Sequence, residues 1–194
     1  MIVKSLANTR EWLVWHSSFN TASNTDYLYL NTTGSKGGSG AGDYWNNTAP
    51  TSTTFSVGNS AAVNSGGDFI AYLWHDIPGL QKFGTYEGSG NINTGPFVEL
   101  GFKPALLIVK NMDDQENWYI YDTKRSPSNV AYQTLQANSN GAEETGNTNS
   151  RLDLLSNGFK LRQGNGPNNA NTYIYCAWAE APTFNLFGAQ SNAR

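Results

Sequence analysis

Short runs of alternating or continuous apolar residues, broken by Gly, Asn, Ser and Pro, recur along the whole chain. ALLIVK (Ala105–Lys110), WYIYD (Trp118–Asp122) and TYIYCAWA (Thr172–Ala179) are rich in β-branched and aromatic residues and read as strands. GFKLR (Gly158–Arg162) follows Ser156-Asn157-Gly158, a hairpin cue. The run from Phe69 to Trp74 is apolar at consecutive positions, which predicts a central strand covered on both faces. Pro78 and Pro182 end such runs, because proline cannot donate to a ladder. No window carries a helical period with caps. At most a helical turn is expected at Asn129–Leu135 or Ser150–Leu155. Asn31–Trp45, rich in Gly and Ser, reads as a mobile loop.

The pattern repeats. GDFIAYLWHDIPGLQKFG (Gly67–Gly84) aligns with NTYIYCAWAEAPTFNLFG (Asn171–Gly188) at an offset of 104, which places Tyr72 on Cys176, Trp74 on Trp178, Pro78 on Pro182 and Phe83-Gly84 on Phe187-Gly188. At the same offset Phe55 falls on Phe159 and Val57 on Leu161. WLVWH from Trp12 matches WYIYD from Trp118, and Ile2-Val3-Lys4 matches Ile108-Val109-Lys110, both at an offset of 106. An ordered series of this kind indicates duplication. The expectation is an all-β chain of two tandem, duplicated antiparallel β-sandwich units, jelly-roll or lectin-like, spanning 1–84 and 85–194. The large rings, Trp74 and Trp178 among them, are expected inside. The first unit has no counterpart for Thr85–Ala105. It reads as the end of a longer polypeptide; the rival reading is that it borrows strands from the linker or from a neighbouring subunit.

Composition narrows the function classes. Charged residues make up 14%, well below an average soluble protein, and the formal net charge is −3. That argues against nucleic acid as a partner, which calls for clustered Lys and Arg. A polar, weakly charged surface suits an extracellular or particle-bound protein and a glycan ligand. No run is long enough for membrane insertion, and MIVKSLAN lacks the apolar core of a secretory leader. The single cysteine, Cys176, excludes an internal disulfide and reads as a small buried hydrophobe.

Candidate chemistry is sparse. His75-Asp76 follows the apolar run, but its counterpart is Ala179-Glu180 and no nucleophile elbow accompanies it. The pair therefore reads as structural, with the acids at 76 and 180 satisfying backbone donors in the turn before each proline. Two histidines and no C-x-x-C leave no metal site, and no cofactor is expected. Met112–Asn117 (MDDQEN) reads as a solvated acidic turn in preference to a weak Ca²⁺ loop. Gly88–Pro96 (GSGNINTGP) lacks the strand–loop–helix frame of a phosphate site. Glu87, Glu99, Glu143, Glu144 and Glu180 are the acids on which a glycan-cleaving alternative would draw. Tyr27, Tyr29, Tyr44, Trp45 and Tyr132 lie in or beside polar loops and are candidate glycan-stacking residues; the competing reading is that they cap the core.

The phrases from Tyr44 to Gly90, Gly95–Lys110, Leu152–Arg162 and Thr172–Arg194 resemble a domain of tailed-bacteriophage virion proteins common in marine phages, cyanophages among them. The resemblance covers nearly the whole chain. It implies a C-terminal or tandem module of long tail and fibre-like proteins, with no catalytic residues. The function so implied is a non-enzymatic structural or adhesive virion component. A tail-fibre module that binds host-surface glycan comes first, with a head fibre or capsid-decorating protein as the alternative. A glycan-degrading depolymerase is the rival from another class. The implied partners are other virion proteins and further copies of the chain, a trimer favoured, since fibre modules assemble by symmetry. Family members usually continue upstream of the position of Met1.

Overall fold

A computed structural model describes residues 1–19, 24–38, 40, 43–146 and 148–182. Every strand pairing among them is antiparallel, in three sheets, and the protein is all-β. The chain divides into two compact units, Met1–Trp74 and His75–Arg194.

The first unit holds β1 (Ile2–Ser5), β2 (Leu13–Val14), β3 (Asp26–Tyr29), β4 (Gly37–Gly38) and β5 (Phe69–Tyr72) in one sheet ordered β4-β3-β2-β1-β5. Alternation sends Val3 and Leu13 to one face, where they meet Trp45 and Val63, with Tyr27, Tyr29 and Phe69 packed at the margin. The covering layer, residues 43–65, contains no strand. Asn46 and Asn47 sit in the left-handed region (φ 51° and 50°) and Pro50 lacks an N–H, so the chain there cannot join a regular ladder. Phe55 and Val57, which the offset of 104 places on Phe159 and Leu161, fall in this segment. It is held by its own hydrogen bonds: Gly58 N–H to Tyr44 O (2.7 Å), Ser60 N–H to Asp43 O (2.9 Å) and Asn64 Nδ2 to Gly58 O (3.0 Å). The stretch expected to be a mobile loop is also tied down where it is described. β4 pairs with β3, the Lys36 ammonium meets the buried Asp26 carboxylate, and the Trp45 indole donates to Asp26 O at 2.9 Å. Ser39, Ala41 and Gly42 of that stretch lie outside the described residues.

The second unit is a sandwich. β6 (Gln81–Glu87), β8 (Leu106–Asn111), β9 (Tyr119–Asp122), β10 (Leu135–Gln136) and β13 (Thr172–Trp178) form a sheet ordered β10-β9-β8-β13-β6. β7 (Phe97–Glu99), β11 (Leu152–Leu155) and β12 (Gly158–Leu161) form the other, ordered β11-β12-β7. Between them lies one core: Leu107, Val109, Tyr121, Tyr173, Tyr175 and Ala177 from the first layer, and Val98, Leu152, Leu154, Phe159 and Leu161 from the second. Tyr86 and Tyr173 stand opposite each other in the ladder and stack at 5.0 Å. Tyr175 stands opposite Gly84, where a Cβ would come within 2.7 Å of its hydroxyl. The division drawn at Gly84 from the sequence falls inside β6.

The two sequence offsets carry the pairs of one five-stranded sheet onto pairs of the other. Ile2↔Val14 and Val3↔Leu13 correspond to Ile108↔Ile120 and Val109↔Tyr119. Ile2↔Tyr72, Val3↔Ala71, Lys4↔Ile70 and Ser5↔Phe69 correspond to Ile108↔Cys176, Val109↔Tyr175, Lys110↔Ile174 and Asn111↔Tyr173. The lysine does similar work in both. Lys4 Nζ donates to Ser5 O (2.6 Å) and Asn8 O (3.3 Å), and Lys110 Nζ donates to Glu116 O (2.8 Å). The sheets part company at one side. β13 lies between β8 and β6, whereas its counterpart β5 has β1 on one side and stands at the sheet edge. Among the described residues, then, the strand predicted to be central at Phe69–Trp74 stands at an edge.

Neither expected helical turn forms. Leu152–Leu155 is β11, because its leucines reach the core and its backbone pairs with β12 across the two-residue connection Ser156-Asn157. Ala131 and Thr134 make single bridges to Leu152 and Glu144. Gly158 closes that hairpin and also pairs with Glu99, and a Cβ there would lie 2.0 Å from the Val98 carbonyl oxygen. A Gly158→Ala variant is expected to lose about 1–3 kcal/mol, toward the upper end because the obstacle is backbone. Urea unfolding checks this, and an unchanged midpoint would refute it.

Candidate functional site

The apolar run outlasts its strand. Past Ala71 the chain is exposed through Tyr72, Leu73, Trp74, His75 and Asp76. Tyr72 and Trp74 are two residues apart, so an extended backbone puts them on one face. Each keeps 40% of its surface exposed. Trp12 joins them from just before β2, and its backbone is fixed on both sides. Its N–H donates to Asn31 Oδ1 (2.9 Å) and its carbonyl accepts from Leu30 N–H (2.9 Å). The rings are near-parallel: Trp12 to Tyr72 is 6.4 Å between centroids at 19°, and Tyr72 to Trp74 is 6.1 Å at 16°. None of the three belongs to the buried cluster of this unit. The counterpart strand behaves differently. Tyr175 and Ala177 are buried, and the Trp178 ring meets Phe83 of β6 edge-on at 5.5 Å and 84°. Trp74, expected inside, is on the surface because no strand among the described residues lies beyond β5 as β6 lies beyond β13.

A ladder of large rings outside a core presents apolar faces next to polar residues, Asn31, which holds the Trp12 N–H, and Glu11, which precedes Trp12. Such faces attract flat or C–H-rich ligand surfaces, and a patch of this kind is informative where a lone exposed apolar residue is not.

The residues singled out from the sequence have other places. Trp45 is 2% exposed, with both ring faces in the core, so it offers no stacking surface. Tyr27, Tyr29 and Tyr44 are half-buried and pack on one another, with Tyr27 5.0 Å from Tyr29 and 4.8 Å from Tyr44. The Tyr29 and Tyr44 hydroxyls are 3.0 Å apart, and burial followed by that hydrogen bond pushes the Tyr29 phenol upward. Tyr132 is exposed, on the stretch between the bridges of Ala131 and Thr134.

Asp76 Oδ1 accepts the Phe83 N–H at 2.9 Å and so fastens the turn before β6. Its counterpart Glu180 instead pairs with Lys124 at 2.7 Å. That ion pair lies in a cleft of about 440 Å³ that Lys103, Pro104 and Pro182 also line. His75 contributes its carbonyl, which accepts from Gln81 Nε2 at 2.6 Å. In Met112–Asn117 the acids serve the fold: Asn111 Oδ1 accepts from Asp113 N–H (2.9 Å) and Asp114 N–H (3.0 Å), and Asp113 Oδ2 accepts from Thr172 N–H (2.7 Å). Gly88–Pro96 is stapled by the buried Asn168, whose Oδ1 accepts the Ser89 N–H (2.8 Å) and whose amide donates to Asn91 O (3.3 Å). Asp153 pairs with Arg162 and Asp122 with Arg125. No group of three or more His, Cys, Asp or Glu suited to a metal ion occurs among the described residues. Cys176 is half-buried in β13, and desolvation pushes its thiol up to about 12. Phe187-Gly188 lies outside the described residues.

No curated protein and no solved structure matches the chain. One family model does, across residues 1–182, under the description "Domain of unknown function (DUF7483)". The match spans nearly the whole sequence, both β units with their connecting turn, and the chain belongs to the DUF7483 family.

Proposed function

We propose that this protein is a non-enzymatic structural and adhesive component of a bacteriophage virion, a tail-fibre module that holds a host-surface glycan. The observation that carries the adhesive half is the near-parallel ladder Trp12–Tyr72–Trp74, in which Tyr72 and Trp74 are exposed and Trp12 is half-buried. Sugar rings present a face of C–H groups to aromatic faces and hydroxyls to a polar rim, and a weakly charged surface suits a neutral polymer. The virion half rests on the resemblance of the quoted sequence phrases. Against cleavage stands the employment of four of the five acids such a reaction would draw on: Glu87 accepts from the Thr172 hydroxyl, Glu143 pairs with Arg125, Glu144 accepts from Gln136 Nε2 and Glu180 pairs with Lys124.

The test is a panel of immobilised bacterial O-chain and capsular polysaccharides, followed by calorimetry on any that bind. Trp12→Ala and Trp74→Ala are each expected to weaken binding about tenfold, equivalent to about 1.4 kcal/mol. Tyr132→Ala is expected to leave it unchanged. Binding that survives both tryptophan changes, no binding across the panel, or release of reducing sugar ends from a polymer would each overturn the reading.

A further inference from the structure

Asn-Gly occurs three times in the chain, at Asn140-Gly141, Asn157-Gly158 and Asn165-Gly166. The pair carries a chemistry of its own. Glycine has no Cβ to shield its nitrogen, so that nitrogen can reach the carbonyl carbon of the preceding asparagine side chain. Closing the cyclic imide turns the peptide unit between the two residues about the asparagine ψ. Whatever holds that unit in place therefore decides whether the reaction runs in the folded protein.

Two of the three units are held. The Asn157 carbonyl accepts from Leu100 N–H (2.8 Å) and Gly101 N–H (3.1 Å), and the buried Gly158 pairs with Leu155 on one side and Glu99 on the other. The Asn165 carbonyl accepts from Asn168 N–H (3.1 Å), and Asn165 stands at ψ −178° before the short helix Gly166–Asn168. Gly166 is itself buried in the left-handed region (φ 56°), and its carbonyl accepts the Tyr173 hydroxyl (2.8 Å). Turning either unit breaks hydrogen bonds that belong to the fold. The third unit has no such anchor. Residues 139–142 are exposed at the tip of the loop that leaves β10 and returns at Glu144, which bridges to Thr134. Among the described residues no hydrogen bond reaches the carbonyl or the carboxamide of Asn140. The Gly141 N–H donates to the exposed Ser139 hydroxyl (3.0 Å), a partner that rotates with it.

We infer that Asn140 is a self-modification site of the folded protein, converting to aspartate and isoaspartate while Asn157 and Asn165 are protected. The Gly141 nitrogen gives its proton to solvent base and attacks Asn140 Cγ. The Cγ–Nδ2 bond breaks, and the leaving nitrogen takes up a proton and departs as ammonia. Water then opens the imide. Cleavage between Cγ and the Gly141 nitrogen restores the main chain with aspartate; cleavage at the main-chain carbonyl leaves the chain running through Cγ as isoaspartate. The sum is amide plus water to carboxylic acid plus ammonia, with no other reactant. The new carboxylate lies three and four residues before Glu143 and Glu144 and carries the formal net charge of −3 one unit further down. The extra main-chain carbon of isoaspartate falls where no strand pairing passes, so the sheets are unaffected. None of this depends on the glycan reading.

The full chain, folded or in urea, is incubated in mildly alkaline buffer made with heavy-oxygen water, and its peptides are followed by chromatography and mass spectrometry. In the folded chain Asn140 is expected to convert at least about tenfold faster than Asn157 or Asn165, which corresponds to about 1.4 kcal/mol in the cost of local opening. The product is expected to carry heavy oxygen and to elute as two isomers. In urea the three sites are expected to convert at similar rates. Gly141→Ala, whose Cβ meets only the Ser139 hydroxyl (3.1 Å), is expected to fold and to convert more slowly at Asn140. Equal rates at the three sites of the folded chain, an Asn140 that stays intact, or a lead for Asn140 that persists in urea would each sink the inference. So would a single isomer, or an unchanged rate in Gly141→Ala, because the imide would then not be the route.

Discussion

Replacing Trp45 with alanine is expected to cost the first unit about 3–5 kcal/mol, the range for deleting a fully buried large ring. The ring is 2% exposed and is the largest member of the cluster it forms with Val3, Leu13 and Val63. Its indole N–H also donates to the Asp26 carbonyl, and that buried hydrogen bond is lost with the ring. More than local packing depends on it. With no strand in residues 43–65, that layer is held to the sheet by the Trp45 and Val63 side chains, by the Tyr44 ring against Tyr27 and by the Tyr29–Tyr44 and Trp45–Asp26 hydrogen bonds. Trp74→Ala provides the contrast, since a ring already 40% in water has much less burial to lose. Urea titration read by far-ultraviolet circular dichroism separates the two. A Trp45 variant as stable as the Trp74 variant would mean that the ring does not pin this layer.

The second large effect is an alkaline collapse of the second unit. Tyr86 and Tyr121 are held well above the ordinary phenol range by desolvation, and Tyr119 and Tyr173 are raised for the same leading reason. Tyr175 is pushed up to about 12. In the unfolded chain these phenols ionise near 10. Above that pH the folded state binds more protons than the unfolded one, so stability falls with rising pH. Each tyrosine that keeps its proton contributes a loss of about 1.4 kcal/mol per pH unit. Several acting together exhaust a typical domain's stability within about one to two units. Lys110 acts in the opposite sense at lower pH. Burial brings its ammonium down to about 8, so between there and the unfolded lysine value near 10.4 the unfolded chain holds the extra proton and stability rises with pH. The expected curve climbs from about pH 8 to about pH 10 and then drops steeply. Tyrosinate absorbance should appear in one cooperative step with loss of the β signal. Smooth ionisation of every tyrosine near pH 10, with the fold intact, would contradict this.

The candidate site was only half legible. Tyr72, Trp74 and Trp12 were visible as large rings in strand-like runs, and the two-residue spacing of Tyr72 and Trp74 implied a shared face. Their exposure was not visible, because an unbroken apolar run reads the same whether its strand is central or at an edge. Tyr27, Tyr29, Tyr44 and Trp45, chosen for their polar surroundings, had the reverse fate, whereas Tyr132 is exposed. Polar loop sequence around Trp45 hid the fact that the loop folds back onto β3.

Strand-forming runs, the hairpin at Ser156-Asn157, the absence of helical periodicity and the offsets of 104 and 106 were all set by the order of residues. They depend on side-chain alternation, turn chemistry and spacing, which are local. Tertiary structure alone decided that β6 would join β13 and leave β5 at an edge, that residues 43–65 would cover a sheet without becoming one, and that Leu152–Leu155 would be a strand. Each of these turns on which distant backbone claims a strand's free hydrogen bonds, and that competition is settled only when the sheets assemble.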